Sequence, residues 1–203
     1  MNVAQVMALA PVIPVIVIED PTKAVTLAET LVAGGLPALE VTLRTPAAIE
    51  AIRLMNEVPG AVVGAGTVLG VRDVDRAVTA GARFLVSPGL TEPLGAAAIG
   101  SGLPFLPGTA TASDVMRGLD LGLTHFKFFP ATASGGIAAL KALLGPLSDI
   151  RVCPTGGITQ ASAPEWLAIN QVVCVGGSWM VRDGAADPAE VRAAASLPRR
   201  HAR

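Results

Sequence analysis

Short apolar runs rich in β-branched residues recur along the chain, with amphipathic Ala/Leu-rich stretches between them. The runs are "PVIPVIVI" (11–18), "ALEVTL" (38–43), "AVVGAG" (61–66), "FLVSPG" (84–89), "PFLPG" (104–108), "HFKFFP" (125–130), "RVCPTG" (151–156) and "VVCVGG" (172–177). Runs of this length, bounded by glycine and proline, read as strands. The intervals between them hold helix-like pieces such as "PTKAVTLAETLVAGG" and "RDVDRAVTAGA". Gly34–Gly35, Gly81 and Gly122 fall just after such pieces, where helices stop.

This repetition of strand and helix predicts a small (β/α)₈ barrel, with an open doubly wound sheet as the rival. The expected layout is a single domain over 1–203, opened by a short N-terminal helix and closed by a frayed tail from about residue 196. The pattern inside "LEVTLR" separates the two architectures. Leu39, Val41 and Leu43 point one way; Glu40, Thr42 and Arg44 point the other. A central strand of an open parallel sheet is covered by helices on both faces and should be apolar throughout. A barrel strand has a lumen on one side, and its mouth accepts polar groups. "GAGT", "SPG", "FFP", "PTGG" and "GGS" close strands, where glycine and proline shape the loops at the carboxyl ends.

Composition adds two constraints. Hydrophobic residues make up 51 % of the 203, before 22 glycines are counted; an ordinary globular chain reaches about 45–50 % with glycine included. Charged residues are 15 %, so the chain must bury much of itself in a core or a subunit interface. The net charge of -1 gives no electrostatic case for nucleic acid or an anionic membrane as partner. The first Lys or Arg is Lys23, so a basic leader is absent, and "LAPVIPVIVI" is too short and too broken by proline to span a bilayer. Cys153 and Cys174 lie in apolar runs without metal-site spacing and read as reduced, buried thiols of a cytoplasmic protein.

Candidate chemistry centres on Lys127, between Phe126 and Phe128. If the phenylalanines pack outward, parity turns Lys127 into the lumen. Such a lysine either snorkels or pairs with a carboxylate, or it is a desolvated amine that forms a Schiff base with a carbonyl. Glu40 lies on the second strand and Lys127 on the sixth, opposite one another in an eight-stranded barrel. They form either a structural ion pair or a nucleophile with its proton-transfer partner. Arg44 shares the parity of Glu40, and Thr67 ends the third strand; an arginine with a hydroxyl suits a small carboxylate. "TGG" (155–157) and "GGS" (176–178) follow the seventh and eighth strands, where barrels often bind phosphate through backbone N–H groups. Gly135–Gly136 are candidates for the same region. His125 reads as a hydrogen-bonded structural residue. With His201 as the other histidine and no cluster at ligand spacing, metal chemistry finds little support.

These residues resemble the bacterial 2-keto-3-deoxy-6-phosphogluconate (KDPG) and 4-hydroxy-2-oxoglutarate (KHG) aldolase family of Schiff-base aldolases. The resemblance is carried by "EVTLRT", "GAGTV", "FKFFP" and "PTGGI", in order and at similar spacing, and runs from about residue 6 to 182. It implies Lys127 as the Schiff-base lysine, Glu40 as the general base, and Arg44 and Thr67 as binders of the pyruvyl carboxylate. It implies Gly156, Gly157, Gly177 and Ser178 as the phosphate site. Pro88 and Phe129 would line the pyruvyl pocket, and Thr155 would choose the aldehyde face. It also implies a homotrimer, no cofactor or metal, and a place in Entner–Doudoroff carbohydrate metabolism, with a keto acid and a phosphorylated aldehyde as small-molecule partners. The chain departs from the family in "TASGG" after "FFPA", where glutamate is common, and in a shorter C-terminal region. The competing readings are a sibling aldolase or decarboxylase, acting on the galactonate epimer, 4-hydroxy-2-oxoglutarate or oxaloacetate, a phosphate-binding isomerase or epimerase without covalent catalysis, and a non-catalytic scaffold.

Overall fold

The computed structural model describes residues 1–199 of the chain. The elements run α1 (Val3–Ala8), β1 (Val12–Ile16), a 3₁₀ turn (Pro21–Lys23), α2 (Ala24–Ala33), β2 (Ala38–Thr42) and α3 (Ala48–Met55). They continue with β3 (Val62–Gly66), α4 (Val71–Thr79), β4 (Leu85–Val86), α5 (Glu92–Gly100), β5 (Phe105–Leu106), β6 (Gly108–Thr109) and α6 (Ala112–Asp120). The last are β7 (His125–Phe128), α7 (Gly136–Leu144), β8 (Arg151–Pro154), α8 (Ala163–Leu167), β9 (Val175–Gly177), β10 (Val181–Arg182), β11 (Ala185–Ala186) and α9 (Pro188–Ala195). Every expected strand run contains strand, and α1 supplies the short N-terminal helix.

The fold is α/β with a curled parallel sheet. Six strands pair in the order β5-β4-β3-β2-β1-β9, so chain order is followed and the late strand β9 then lies beside the first. Three more pair as β6-β7-β8, and β10 with β11 forms a small antiparallel hairpin. The single continuous eight-stranded sheet expected from the sequence is thus divided among the described residues. Pro107 causes one division: it has no N–H to donate, and the fifth run breaks around it into β5 and β6. At the other division, no ladder joins β8 to β9 among the described residues, and the isolated bridges Val152↔Val172 and Thr155↔Gly176 each link one strand to the residues flanking the other.

Two apolar layers follow from strand parity. Leu39 and Val41 of β2, Val63 and Ala65 of β3, and Phe126 and Phe128 of β7 join the large core shared with the helices. The opposite faces supply Ile13, Ala38, Val62, Phe84, Leu106, Cys153 and Cys174 to a second, inner cluster. Val6 and Met7 of α1 complete it. Asn2 and Gln5 cap α1 reciprocally, with Gln5 N donating to Asn2 Oδ1 at 2.9 Å and Asn2 N to Gln5 Oε1 at 2.7 Å. A helix this short is marginal alone. It is held by its buried side chains, each worth about 1.5–3 kcal/mol. Gly35, Gly81 and Gly122 have φ of 95°, 82° and 78° after α2, α4 and α6, the left-handed stop glycine supplies. No helix of the described residues is long and apolar enough to cross a membrane. Of the tail, Arg199 donates to Ala8 O at 2.9 Å; residues 200–203, including His201, lie outside the described residues.

Helix α6 begins with a second reciprocal cap. Asp114 Oδ2 accepts from Ala110 N at 3.1 Å, Thr111 N at 3.0 Å and Thr111 Oγ1 at 2.8 Å, while Thr111 Oγ1 accepts from Asp114 N at 3.3 Å. Partial burial alone would raise the Asp114 carboxyl, but these bonds and that from Arg117 outweigh it and hold it below the ordinary 3.8. Its stabilisation is therefore complete above pH 3.8 and fades as pH falls through the lower folded-state value. Asp114→Ala should cost about 0.5–2 kcal/mol in urea unfolding at pH 7. The difference between the two proteins should shrink in acid below the ordinary carboxylate range.

Candidate active site

A cavity of about 370 Å³ opens at the carboxyl ends of the strands. Lys127 and Glu40 lie in its base. Lys127 Nζ donates to Glu40 Oε1 at 2.9 Å, with the residues 5 % and 2 % exposed. Among the described residues they are the only buried charged side chains. Lys127 Nζ also lies 5.2 Å from the centre of the Phe129 ring, close enough for a cation–π contact. The expected parity accounts for this meeting. β2 and β7 both turn their apolar positions outward, which leaves the acid and the amine facing inward from different sheets.

Arg44 and Thr67 line the same mouth. Arg44 is exposed and forms no salt bridge among the described residues. Thr67 has φ 57°, an unfavourable conformation for a β-branched residue and one that often marks functional loops. Pro88 reaches the wall because its loop lies directly on β6: a Cβ at Gly108 would be 2.2 Å from Pro88 C and O. Ser87 braces that loop, its Oγ donating to Gly89 O at 2.7 Å.

The opposite wall is made of Thr155, Gly156, Gly157, Gly177 and Ser178. Gly156 and Gly157 have φ of 102° and 75°, consecutive left-handed positions that side chains strain to adopt. Gly157 also faces Thr132, the residue after "FFPA": a Cβ there would lie 2.6 Å from Thr132 Oγ1. The indole of Trp179 covers Gly177 and Thr155 covers Gly176, with no room for a Cβ at either glycine.

The cavity thus gathers every residue to which the resemblance gives a role. Gly135 and Gly136 do not line it; they turn the chain into α7. His125 stands outside it, half-buried, with Nδ1 3.0 Å from Thr124 Oγ1, and burial followed by the nearby Arg151 charge lowers its pKa. Gly176 of "GGS" lines the cavity as well, and so do Val15, Thr42 and Ile158, which were not singled out. Thr42 was within reach of the parity argument, since it shares the face of Glu40; its Oγ1 donates to Ile16 O at 2.9 Å. Below the pair, Cys153 and Cys174 are free thiols. The hydrogen bond to Cys153, then complete burial, push the Cys174 thiol well above its ordinary range. No group of three His, Cys, Asp or Glu side chains able to hold a metal occurs among the described residues.

A buried amine beside a carboxylate, under a mouth that carries an unpaired guanidinium, defines an enzyme site suited to a carbonyl compound with an anionic end. Comparison with known proteins agrees. The family model for KDPG and KHG aldolase matches residues 3–195. A 2-dehydro-3-deoxy-phosphogluconate aldolase of Zymomonas mobilis is 57 % identical over 194 residues, 96 % of this chain and 93 % of that protein. The crystal structure of a Zymomonas mobilis 2-keto-3-deoxy-6-phosphogluconate aldolase superposes with a TM-score of 0.96 at 54 % identity, covering 98 % of this chain and 99 % of that one. The Legionella pneumophila KDPG aldolase, solved with pyruvate captured as a covalent carbinolamine intermediate, superposes at 0.89 with 46 % identity over 97 % and 96 % of the two chains. The chain belongs to the KDPG and KHG aldolase family and is a carbon–carbon lyase.

Lys127→Met leaves Glu40 buried without its partner. It should lower unfolding stability in urea at neutral pH by about 3–5 kcal/mol, and Lys127→Met/Glu40→Leu should recover most of that loss.

Proposed function

We propose that the chain cleaves KDPG reversibly to pyruvate and glyceraldehyde 3-phosphate through a Schiff base on Lys127. The observation that carries this reading is the buried 2.9 Å contact of Lys127 with Glu40 at the base of a cavity walled by glycine turns. Attack on a ketone needs a neutral amine, and Glu40 is placed to take the lysine's proton. The Lys127 nitrogen adds to C2 of the keto acid to give a carbinolamine; Glu40 then gives the proton it took to the departing hydroxyl, water leaves, and a protonated imine and the Glu40 carboxylate remain. Glu40, directly or through one water, removes the proton of the C4 hydroxyl. The C3–C4 bond then breaks, the aldehyde forms, and the electron pair moves into the imine to leave an enamine. Protonation at C3 and hydrolysis return pyruvate and the free lysine. The imine is the electron sink, so no metal or cofactor is required, and activity should survive EDTA.

Arg44 and Thr67 grip the pyruvyl carboxylate. Pro88 and Phe129 bound the pyruvyl group, and Thr155 selects the aldehyde face. Gly156, Gly157 and Gly177 present backbone N–H groups to the phosphate, and Ser178 adds its hydroxyl. The two parallel sheets act as one closed (β/α)₈ barrel in a single domain. Two observations support closure: at the break between β5 and β6, Ser87 N donates to Leu106 O at 3.3 Å and Lys127 N to the adjoining Pro107 O at 2.8 Å, and Thr155 bridges Gly176. A homotrimer in the cytoplasm completes the reading, which the low share of charged residues supports.

The family description also names KHG, which favours a second reading: cleavage of the unphosphorylated 4-hydroxy-2-oxoglutarate at the same lysine. Turnover of the two substrates separates them. If phosphate is bound as proposed, kcat/KM should favour KDPG by about tenfold or more, the worth of one charge-assisted hydrogen bond. Equal values would select the second reading. Borohydride with pyruvate should leave a stable adduct on Lys127 in peptide mapping, and Lys127→Ala should lower cleavage at least about 10³-fold. An unmodified lysine, or cleavage near the parent rate in Lys127→Ala, would overturn the covalent mechanism.

A further inference from the structure

Beyond Val62, which packs in the inner cluster, the inward face of β3 carries no side chain. Val63 and Ala65 pack outward, and the alternate positions are Gly64 and Gly66. Glycine within a strand has nothing to pack and much conformational freedom to lose, so two in one short strand need a cause. Backbone conformation is not the cause, because neither lies in the left-handed region. Space is. A Cβ at Gly64 would lie 2.4 Å from ring carbons of Phe84, in the inner apolar cluster. A Cβ at Gly66 would lie 2.5 Å from Glu40 Oε1 and 2.6 Å from Glu40 Cγ.

The two glycines therefore do different things. Glu40 is paired in register with Gly64, and Thr42 with Gly66. The Glu40 side chain thus leans along the strand direction, over the neighbouring strand, and occupies the volume a side chain at 66 would fill. The ring of Phe84 takes the space at Gly64, and the Thr42 hydroxyl is committed to Ile16 O. A Cβ at 66 would drive the carboxylate off its present site with those neighbouring positions already occupied.

We infer that Gly66 is a positioning residue for Glu40, whose lack of a Cβ sets the reach of the carboxylate to Lys127. The inference rests on the proposed proton-transfer role of Glu40. It assigns to "GAG" in "VVGAGTV" a division of labour: one glycine serves the core, the other the acid.

The test is a cycle of Gly66→Ala and Glu40→Ala, with Gly64→Ala as the comparison. In Gly66→Ala, kcat for KDPG cleavage should fall about 10–100-fold, the scale of a displaced acid–base group, while KM stays within about threefold. Gly64→Ala should instead lower the Tm and leave kcat within about threefold. In the Glu40→Ala background no carboxylate remains to displace, so adding Gly66→Ala should change kcat less than about twofold. A parent-like kcat in Gly66→Ala, or the same loss in both backgrounds, overturns the inference. If Gly66→Ala is too unstable to assay, Gly66→Ala/Glu40→Ala should regain the Tm of Glu40→Ala; a double variant as unstable as Gly66→Ala overturns it. A parent-like kcat in Glu40→Ala is a separate result that sinks the proton-transfer role of Glu40. In that case the Tm cycle still decides whether Gly66 acts on it.

Discussion

The contact between Lys127 and Glu40 constrains the arrangement around it. An ammonium and a carboxylate are held almost out of reach of water, where losing hydration costs several kcal/mol per ion before their attraction offsets it. Replacing such a pair with apolar side chains is often neutral or stabilising. A fold in search of stability alone would gain little from this one. Around it the chain spends its lumen on room and polarity: glycine faces on β3 and β9, the hydroxyls of Thr42 and Thr155, and an open mouth above. Beneath it the inner cluster is apolar and closed by α1. The pair thus stands at the boundary between a dry floor and a wet entrance, where an amine is shielded and a small keto acid can still arrive.

That boundary was readable in the sequence because strand parity is a strict physical rule. "LEVTLR" and "HFKFFP" each place one polar face against one apolar face, and the two faces meet at Glu40 and Lys127. The strand runs and the glycine stops after α2, α4 and α6 were legible for similarly local reasons. Other features depend on what lies across the lumen, and no local pattern encodes that. Pro107 stands inside the run "PFLPG", which it divides into β5 and β6. The hairpin β10–β11 went unread although Asp183–Gly184 is a turn signal, because its strands are only two residues long. Ile158 reaches the cavity from a loop and has no period to betray it. Gly135 and Gly136 resembled the wall glycines by composition but serve the start of α7.

The wall opposite the pair is built largely by leaving side chains out. Thr132 fills the space at Gly157, Thr155 that at Gly176, and Trp179 that at Gly177. A glycine read from sequence suggests freedom of the backbone, and at Gly156 and Gly157 the left-handed conformation bears this out. Elsewhere in the site the glycine exists for a neighbour, and that reason appears only when the neighbour is in place. Thr132 illustrates the point. It follows "FFPA", and it seats against Gly157 in the turn.

Charge balance links the floor to the mouth. Cys174, the thiol whose titration is perturbed, is pushed away from ionisation, and no third buried charged side chain accompanies the pair among the described residues. The buried pair therefore balances in formal charge before substrate enters. A proton passing from Lys127 to Glu40 keeps it neutral, since one cation and one anion disappear together. The carboxylate of an arriving keto acid would add a negative charge there, but Arg44, in no salt bridge among the described residues, stands at the entrance to meet it. The imine of the proposed reaction carries positive charge, which would face the anion that Arg44 is proposed to hold and the carboxyl group of Glu40. In the proposed reaction, no step requires an isolated charge to be created in the low-dielectric interior, and this follows from where two ionisable side chains sit on β2 and β7 and a third just beyond the end of β2.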